Sequence, residues 1–141
     1  MLWKWMMFLF AGLLFSESAL AEIPLKVMSF NVRYGTALDG PNAWPLRRDL
    51  LVETIRKYDP DILGTQETLE FQAEYMAENL SGYRWIGVGR DADGGGEFTA
   101  ILYKHKVLLP IESGNYWLSE DPGMPGSVSW DSSLTRMVTW I

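Results

Sequence analysis

Apolar residues fall along this chain in short dense runs separated by clusters of Gly, Pro, Asn, Asp and Ser, and the spacing within each run assigns it to strand or helix. Leu25 to Val32 is dominated by apolar side chains, which is the expectation for a strand buried on both faces. It closes at Asn31 to Gly35, and the GTALDGPNAWP stretch that follows has loop composition. Leu46, Leu50, Leu51, Ile55 and Tyr58 then recur with a helical period, predicting one amphipathic helix over Leu46 to Tyr58 with charges on its opposite face. Pro60 cannot extend that helix, so Ile62-Leu63-Gly64 reads as a second strand delivering Gln66 and Glu67. A second helix is expected over Glu70 to Leu80, with Phe71, Tyr75, Met76 and Leu80 on one side.

Strand-like runs follow at Tyr83 to Val88, Phe98 to Lys104 and Val107 to Leu118, divided by the Asp/Gly loop Asp91 to Gly96 and a short turn near His105. A further loop spans Ser119 to Leu134, and the last residues, RMVTWI, have the pattern of another strand. The order β-α-β-α-β-β-β, without internal repeats or linkers, fits one α/β domain. The leading residues differ in kind. Met1 to Ala21 combines Lys4, an apolar stretch from Met6 to Phe15 and the small-residue end Ala19-Leu20-Ala21, the three parts of a secretory signal. The apolar stretch is short of the roughly 20 residues that span a bilayer. Cleavage after Ala21, no membrane span thereafter and a secreted or periplasmic location are therefore expected.

The 141 residues include no cysteine, so a disulfide framework is unavailable even in an oxidising compartment and stability has to come from packing. The formal net charge is −6, and the signal carries one Lys and one Glu, so its removal leaves that value unchanged. No Lys/Arg cluster offers the basic face through which nucleic-acid binders displace counterions, so a nucleic-acid partner is disfavoured. His105, the single histidine, sits between Lys104 and Lys106 in a turn, which excludes zinc sites built on several His or Cys ligands. Gly94-Gly95-Gly96 is followed by neither Lys-Ser/Thr nor a helix, so it is a hairpin connection rather than a phosphate-cradling loop.

Asn31 and Glu67 each follow a strand of parallel type, and the C-terminal ends of such strands lie side by side where open α/β sheets bind ligands. Both present hard oxygen donors suited to Mg²⁺ or Mn²⁺. Taken singly, Asn31 is also explained by bonding to its own turn, and Glu67 by a solvated cap of the next helix. Glu97, between the glycine-rich turn and the next strand, suits a second metal or a substrate hydroxyl, or is a surface charge of the hairpin. Arg136 opens the last strand and is a candidate to hold a phosphate oxygen through its planar fork, or to pair with Glu67 or Glu97; Arg33 is a weaker candidate of the same kind.

The strings MSFNVRYG, ILGTQET and GEFTAILYK resemble the N-terminal half of the endonuclease/exonuclease/phosphatase family of metal-dependent phosphoesterases. The resemblance runs from Leu25 to Ile141 and is strongest in a secreted bacterial-type subgroup sharing GVGRD, GEFTAILY, SGNYWLSE and RMVTW-like strings. It implies the N-terminal half of a four-layer α/β/β/α sandwich, with a domain from residue 22 truncated at its C-terminus. FNVRYG matches the motif whose Asn contacts the catalytic metal, and TQE matches the motif whose Glu ligates it directly; those roles pass to Asn31 and Glu67. The family's base and remaining contacts come from GDxN-like and SDH-like motifs, and neither string occurs in this sequence. The implied function is metal-dependent hydrolysis of phosphoester bonds in a small molecule, lipid or sugar phosphate by a full-length form, with this segment inactive alone. A secreted nuclease of the same family is one alternative, and a non-catalytic carbohydrate-binding module using Trp44, Trp117 and Trp130 is another. In a half-sandwich the inner sheet face carrying Val27, Ile101 and Tyr103 is expected to be uncovered.

Overall fold

The computed structural model describes residues 24–141, and the expected signal over 1–21 lies outside them. In chain order come β1 (Val27–Asn31), a 3-10 turn (Gly40–Asn42), α1 (Trp44–Tyr58), β2 (Ile62–Gln66), α2 (Glu70–Asn79), β3 (Tyr83–Ile86), β4 (Ile101–Lys104), β5 (Gly114–Trp117) and β6 (Met137–Trp140). Two sheets form, one of four strands in the order β1-β2-β4-β3 and one of two strands, β5-β6. β1 and β2 run parallel, Val27 opposite Ile62 and Asn31 opposite Gln66, with α1 as the crossover that parallel pairing requires. The remaining pairs, β2 with β4, β3 with β4 and β5 with β6, are antiparallel. Among the described residues no helix is long and apolar enough to cross a membrane.

Local chemistry explains where the helices begin and end. α1 opens with Pro45 in its first turn, where a missing N–H costs nothing. It stops at Asp59, whose left-handed backbone (φ 46°) lets its N–H reach the Ile55 carbonyl at 2.8 Å, and Pro60 prevents continuation. α2 opens at Leu69, whose N–H donates to Oε1 of Gln72 at 3.0 Å.

Both helices pack on one face of the four-stranded sheet, and the core joins Val32, Trp44, Leu51, Val52, Ile55, Leu63, Met76, Leu80 and Leu102. This corrects the helical faces expected from periodicity. In α1 the buried stripe is Trp44, Leu51, Val52 and Ile55, while Leu46 and Leu50 are 71% and 66% exposed. In α2 the buried side is Gln72, Ala73 and Met76, with Phe71 exposed. The period admits two neighbouring stripes, and Trp44 and Gln72, one lying before the expected helix and the other polar, decide between them.

β1 is likewise buried on one face only. Met28 and Phe30 pack on the core, while Val27 is 69% exposed and Ser29 and Asn31 are exposed too. The opposite sheet face is not bare, however: Tyr103 is buried and Ile101 half-buried. The two-stranded sheet lies against that face, with Thr99 Oγ1 3.0 Å from Thr139 Oγ1. An apolar groove of about 510 Å³ runs between Ile62 of β2 and Leu109, Ile111 and Trp140. The expected strand Val107 to Leu118 shrinks to Gly114–Trp117, because Pro110 interrupts the run and no strand pairs with the residues before Gly114 among the described residues.

Asp61 ties three strands together at the end of the sheet away from Glu67. Its carboxylate accepts from the Lys26 N–H at 2.9 Å and from Lys104 Nζ at 3.1 Å. These bonds, the Lys26 amide first, hold its carboxyl below the ordinary carboxylate range. A depressed folded value makes the contribution to stability complete above the unfolded value near 4 and lost as pH falls through the folded one. Asp61→Asn should therefore lower stability at neutral pH, and its deficit against wild type should close in acid, as read from urea unfolding at pH 7, 4 and 3. The helix stripe is tested the same way: Ile55→Ala should cost about 2–5 kcal/mol, whereas Leu50→Ala should stay within about 0.5 kcal/mol.

Candidate active site

The β1–β2 register places Asn31 beside Gln66, and Val32 N–H donates to the Gln66 carbonyl at 3.0 Å, so Glu67 emerges one residue past the paired strands. Glu67 takes a left-handed backbone (φ 56°), as does Arg33 (φ 62°) across from it. Such conformations cost non-glycine residues of order 1–3 kcal/mol each and persist where surrounding bonds over-determine them. Those bonds are present. Asn31 Nδ2 donates to Glu67 Oε1 at 2.8 Å, the Tyr34 N–H donates to Glu67 Oε2 at 3.0 Å, and Arg33 N–H donates to Asn31 Oδ1 at 2.8 Å, fixing which way the amide faces.

A second set of bonds holds the β1 turn in place. The Arg33 carbonyl accepts from Gln72 Nε2 at 3.0 Å and from Arg47 Nη2 at 2.9 Å, while Arg47 Nη1 donates to the Val32 carbonyl at 2.6 Å. Gln72 is wholly buried and bridges α2 to this turn. A β-carbon at Gly35 would sit 2.6 Å from Gln72 Cδ, so the turn passes close under the helix only because residue 35 has no side chain. Sequence reasoning missed both Gln72 and Arg47; a polar residue on the core side of an otherwise helical pattern was the available signal.

The donors converging on Glu67 hold its carboxyl below the usual range, the Asn31 amide being the main cause, then the Tyr34 N–H, with the Arg33 charge also contributing. The group is therefore an anion across the neutral range, and each carboxylate oxygen keeps lone pairs beyond those already engaged.

Around it lies a cavity of about 270 Å³ lined by Asn31, Gln66, Glu67, Arg90, Glu97, Phe98, Thr99, Thr135, Arg136 and Met137. Four of the five residues singled out from sequence, Asn31, Glu67, Glu97 and Arg136, thus share one cavity. Glu97 is engaged by Arg90, whose Nη1 is 2.6 Å from Glu97 Oε2. Arg33 is not in this cavity. Its guanidinium forks onto Asp39, at 2.9 and 2.8 Å, and lines a neighbouring cleft that shares Asn31 with the Glu67 cavity. His105 lies past the far end of β4, its Nε2 3.4 Å from the Ser81 carbonyl.

The profile of the Endonuclease/Exonuclease/phosphatase family matches residues 28–141. The chain belongs to the endonuclease/exonuclease/phosphatase family. Members of this family are phosphoesterases and generally depend on divalent metals. A family protein from Bacteroides thetaiotaomicron superposes with a TM-score of 0.78 at 39% identity, covering 82% of this chain and 44% of its own. One from Bacteroides vulgatus superposes with a TM-score of 0.79 at 33% identity, covering 82% and 45%. A third structure, described as a mannosyl-6-phosphatase of Bacteroides thetaiotaomicron, gives a TM-score of 0.78 at 38% identity, covering 83% and 45%. The chain therefore spans less than half the length of these endonuclease/exonuclease/phosphatase relatives. Curated proteins provide no match to the sequence.

Removing the Asn31 amide should let the Glu67 carboxyl rise toward its ordinary value. Asn31→Ala is expected to shift the Glu67 side-chain titration upward by NMR; an unchanged titration would mean the Tyr34 N–H alone sets it.

Proposed function

We propose that this chain supplies part of the active site of a metal-dependent phosphoesterase that hydrolyses small phosphorylated molecules, sugar phosphates foremost. The observation that carries this reading is the ionised Glu67, held in a left-handed backbone by Asn31 and Tyr34 inside a cavity it shares with Arg136. Glu67 would hold a hard divalent ion, Mg²⁺ or Mn²⁺, with Asn31 fixing the carboxylate's orientation through Nδ2. Such an ion, when bound, polarises a phosphoryl oxygen. Among the described residues no group of three or more His, Cys, Asp or Glu side chains is placed to hold a metal. Mg²⁺ keeps several waters and uses one or two carboxylates plus phosphate oxygens, so Glu67 would be one ligand of a larger set.

Arg136 has no carboxylate partner among the described residues, so its fork is free to take a phosphate oxygen at the cavity wall. Sugar phosphates are favoured over nucleic acid on two grounds. The formal net charge of −6 opposes a polyanion, and a relative of 38% identity is described as a mannosyl-6-phosphatase.

In the complete protein, Glu67→Gln should reduce kcat/KM on mannose 6-phosphate by at least about a hundredfold, since it removes an anionic ligand while keeping its shape. The melting temperature should fall modestly, because one oxygen that accepts from Asn31 or Tyr34 becomes an NH₂ donor, and circular dichroism should show the fold retained. Activity retained at wild-type level would overturn the assignment, and a preference for DNA or RNA in the wild type would favour the nuclease reading.

A further inference from the structure

Arg90 is more firmly positioned than a hairpin surface charge needs to be. Its N–H donates to the Glu97 carbonyl at 3.0 Å, and its own carbonyl accepts from Trp117 Nε1 at 2.7 Å, so the backbone is gripped from the hairpin and from the second sheet. The hairpin that returns the chain to Glu97 turns on Gly94 (φ 84°) and Gly96 (φ 79°), conformations that glycine adopts without strain. At its base, Arg90 Nη1 donates to Glu97 Oε2 at 2.6 Å, and the two side chains are only 17% and 22% exposed.

A partly buried ion pair of this kind is weak evidence for a stabilising role, because desolvation offsets its Coulomb gain. Its position gives it another use. Both residues line the cavity that holds Glu67 and Arg136. A guanidinium carries five N–H donors in a rigid plane, and among the described residues the Arg90 guanidinium makes one hydrogen bond, to Glu97. None of its other nitrogens is both buried and without a partner; Nε lies 3.9 Å from Asp91 Oδ1, outside the cavity lining, and Arg90 itself lines the cavity. Both cavity carboxylates are already engaged, Glu97 by Arg90 and Glu67 by Asn31 and Tyr34, while Arg136 has no acidic partner. The donors left over are cationic and belong to two residues lining a space of about 270 Å³, room enough for a phosphoryl group.

We propose that Arg90 is a phosphate-binding residue of this cavity, acting together with Arg136, and that Glu97 is its positioning residue. This rests on the phosphoesterase reading above and extends it. Glu97 does not take a second metal or a substrate hydroxyl; its carboxylate fixes the plane of the Arg90 fork, so that little side-chain freedom is lost when an oxyanion docks. Two forks aimed at one oxyanion suit the terminal phosphate of a monoester, which presents three free oxygens, better than the bridging phosphate of a diester, which presents two.

The test uses the complete protein in EDTA with inorganic phosphate as the probe, read by calorimetry, so that metal loading and turnover play no part. Arg90→Gln should weaken phosphate binding about tenfold or more, the usual consequence of losing a charge-assisted hydrogen bond. Arg90→Lys, which keeps the charge and loses the fork, should weaken it by about threefold. Glu97→Gln should weaken binding less than Arg90→Gln, and in turnover should raise KM for a phosphate monoester with kcat nearly unchanged. Lys106→Gln, at the opposite end of β4, is the control and should bind as wild type. Should Arg90→Gln fail to fold, the lysine variant decides. Wild-type phosphate affinity in folded Arg90 variants overturns the proposal, as does a fall in kcat without a rise in KM for Glu97→Gln, which would place the carboxylate in the chemistry. The two readings fail separately: loss of phosphate binding in Arg90→Gln with full activity in Glu67→Gln removes the metal assignment and leaves the anion site standing.

Discussion

Parallel pairing between β1 and β2 does more than start a sheet. Because the two strands run the same way, with Asn31 opposite Gln66, the residues that leave their C-terminal ends are forced into each other's company across 36 positions of sequence. A one-residue slip of β1 would turn Asn31 to the helical face, and a slip of either strand would part Glu67 from its amide donor. The register is fixed in turn by burial. Met28, Phe30 and Leu63 must face α1 and α2, so the apolar core decides where the polar pair sits.

The strain at the site fits this picture. Arg33 and Glu67 both hold left-handed backbones, and the bonds that compensate come from Gln72 in α2 and Arg47 in α1. Each helix thus has two tasks, covering the sheet with its apolar stripe and reaching past the sheet's edge with one polar side chain. The result is a carboxylate held ionised and in one orientation, as the proposed binding of a hard cation would require.

Around Glu67 the cavity walls come from separate parts of the chain, the 90–97 hairpin and the start of β6. Trp117 joins them by donating to the Arg90 carbonyl, and Thr139 meets Thr99 across the two sheets. The same packing that buries Tyr103 therefore also brings Arg90 and Arg136 to the carboxylate. Apolar side chains remain in the groove beside Ile62, where Ile111 is 92% exposed. The larger relatives, of which this chain covers 44–45%, have more sequence with which to build around such a face.

Much of this was legible in the sequence, because local patterns suffice where neighbours in the chain are also neighbours in space. The strand ends at Asn31 and Glu67, the stop at Pro60 and the glycine hairpin at 94–96 are of that kind, and the strings around them identify the family. Periodicity could not choose the buried stripe of α1, since Leu50 and Leu51 are equally apolar and only packing against Leu63 and Leu102 separates them. Nor could it show that Arg33 turns to Asp39 while Arg90 turns to Glu97, because an arginine's partner depends on which carboxylate the backbone brings within 3 Å. Residue types and the ends of strands were set by the chain itself. Which charges meet, and in which cavity, was decided only when two sheets and two helices had closed on one another.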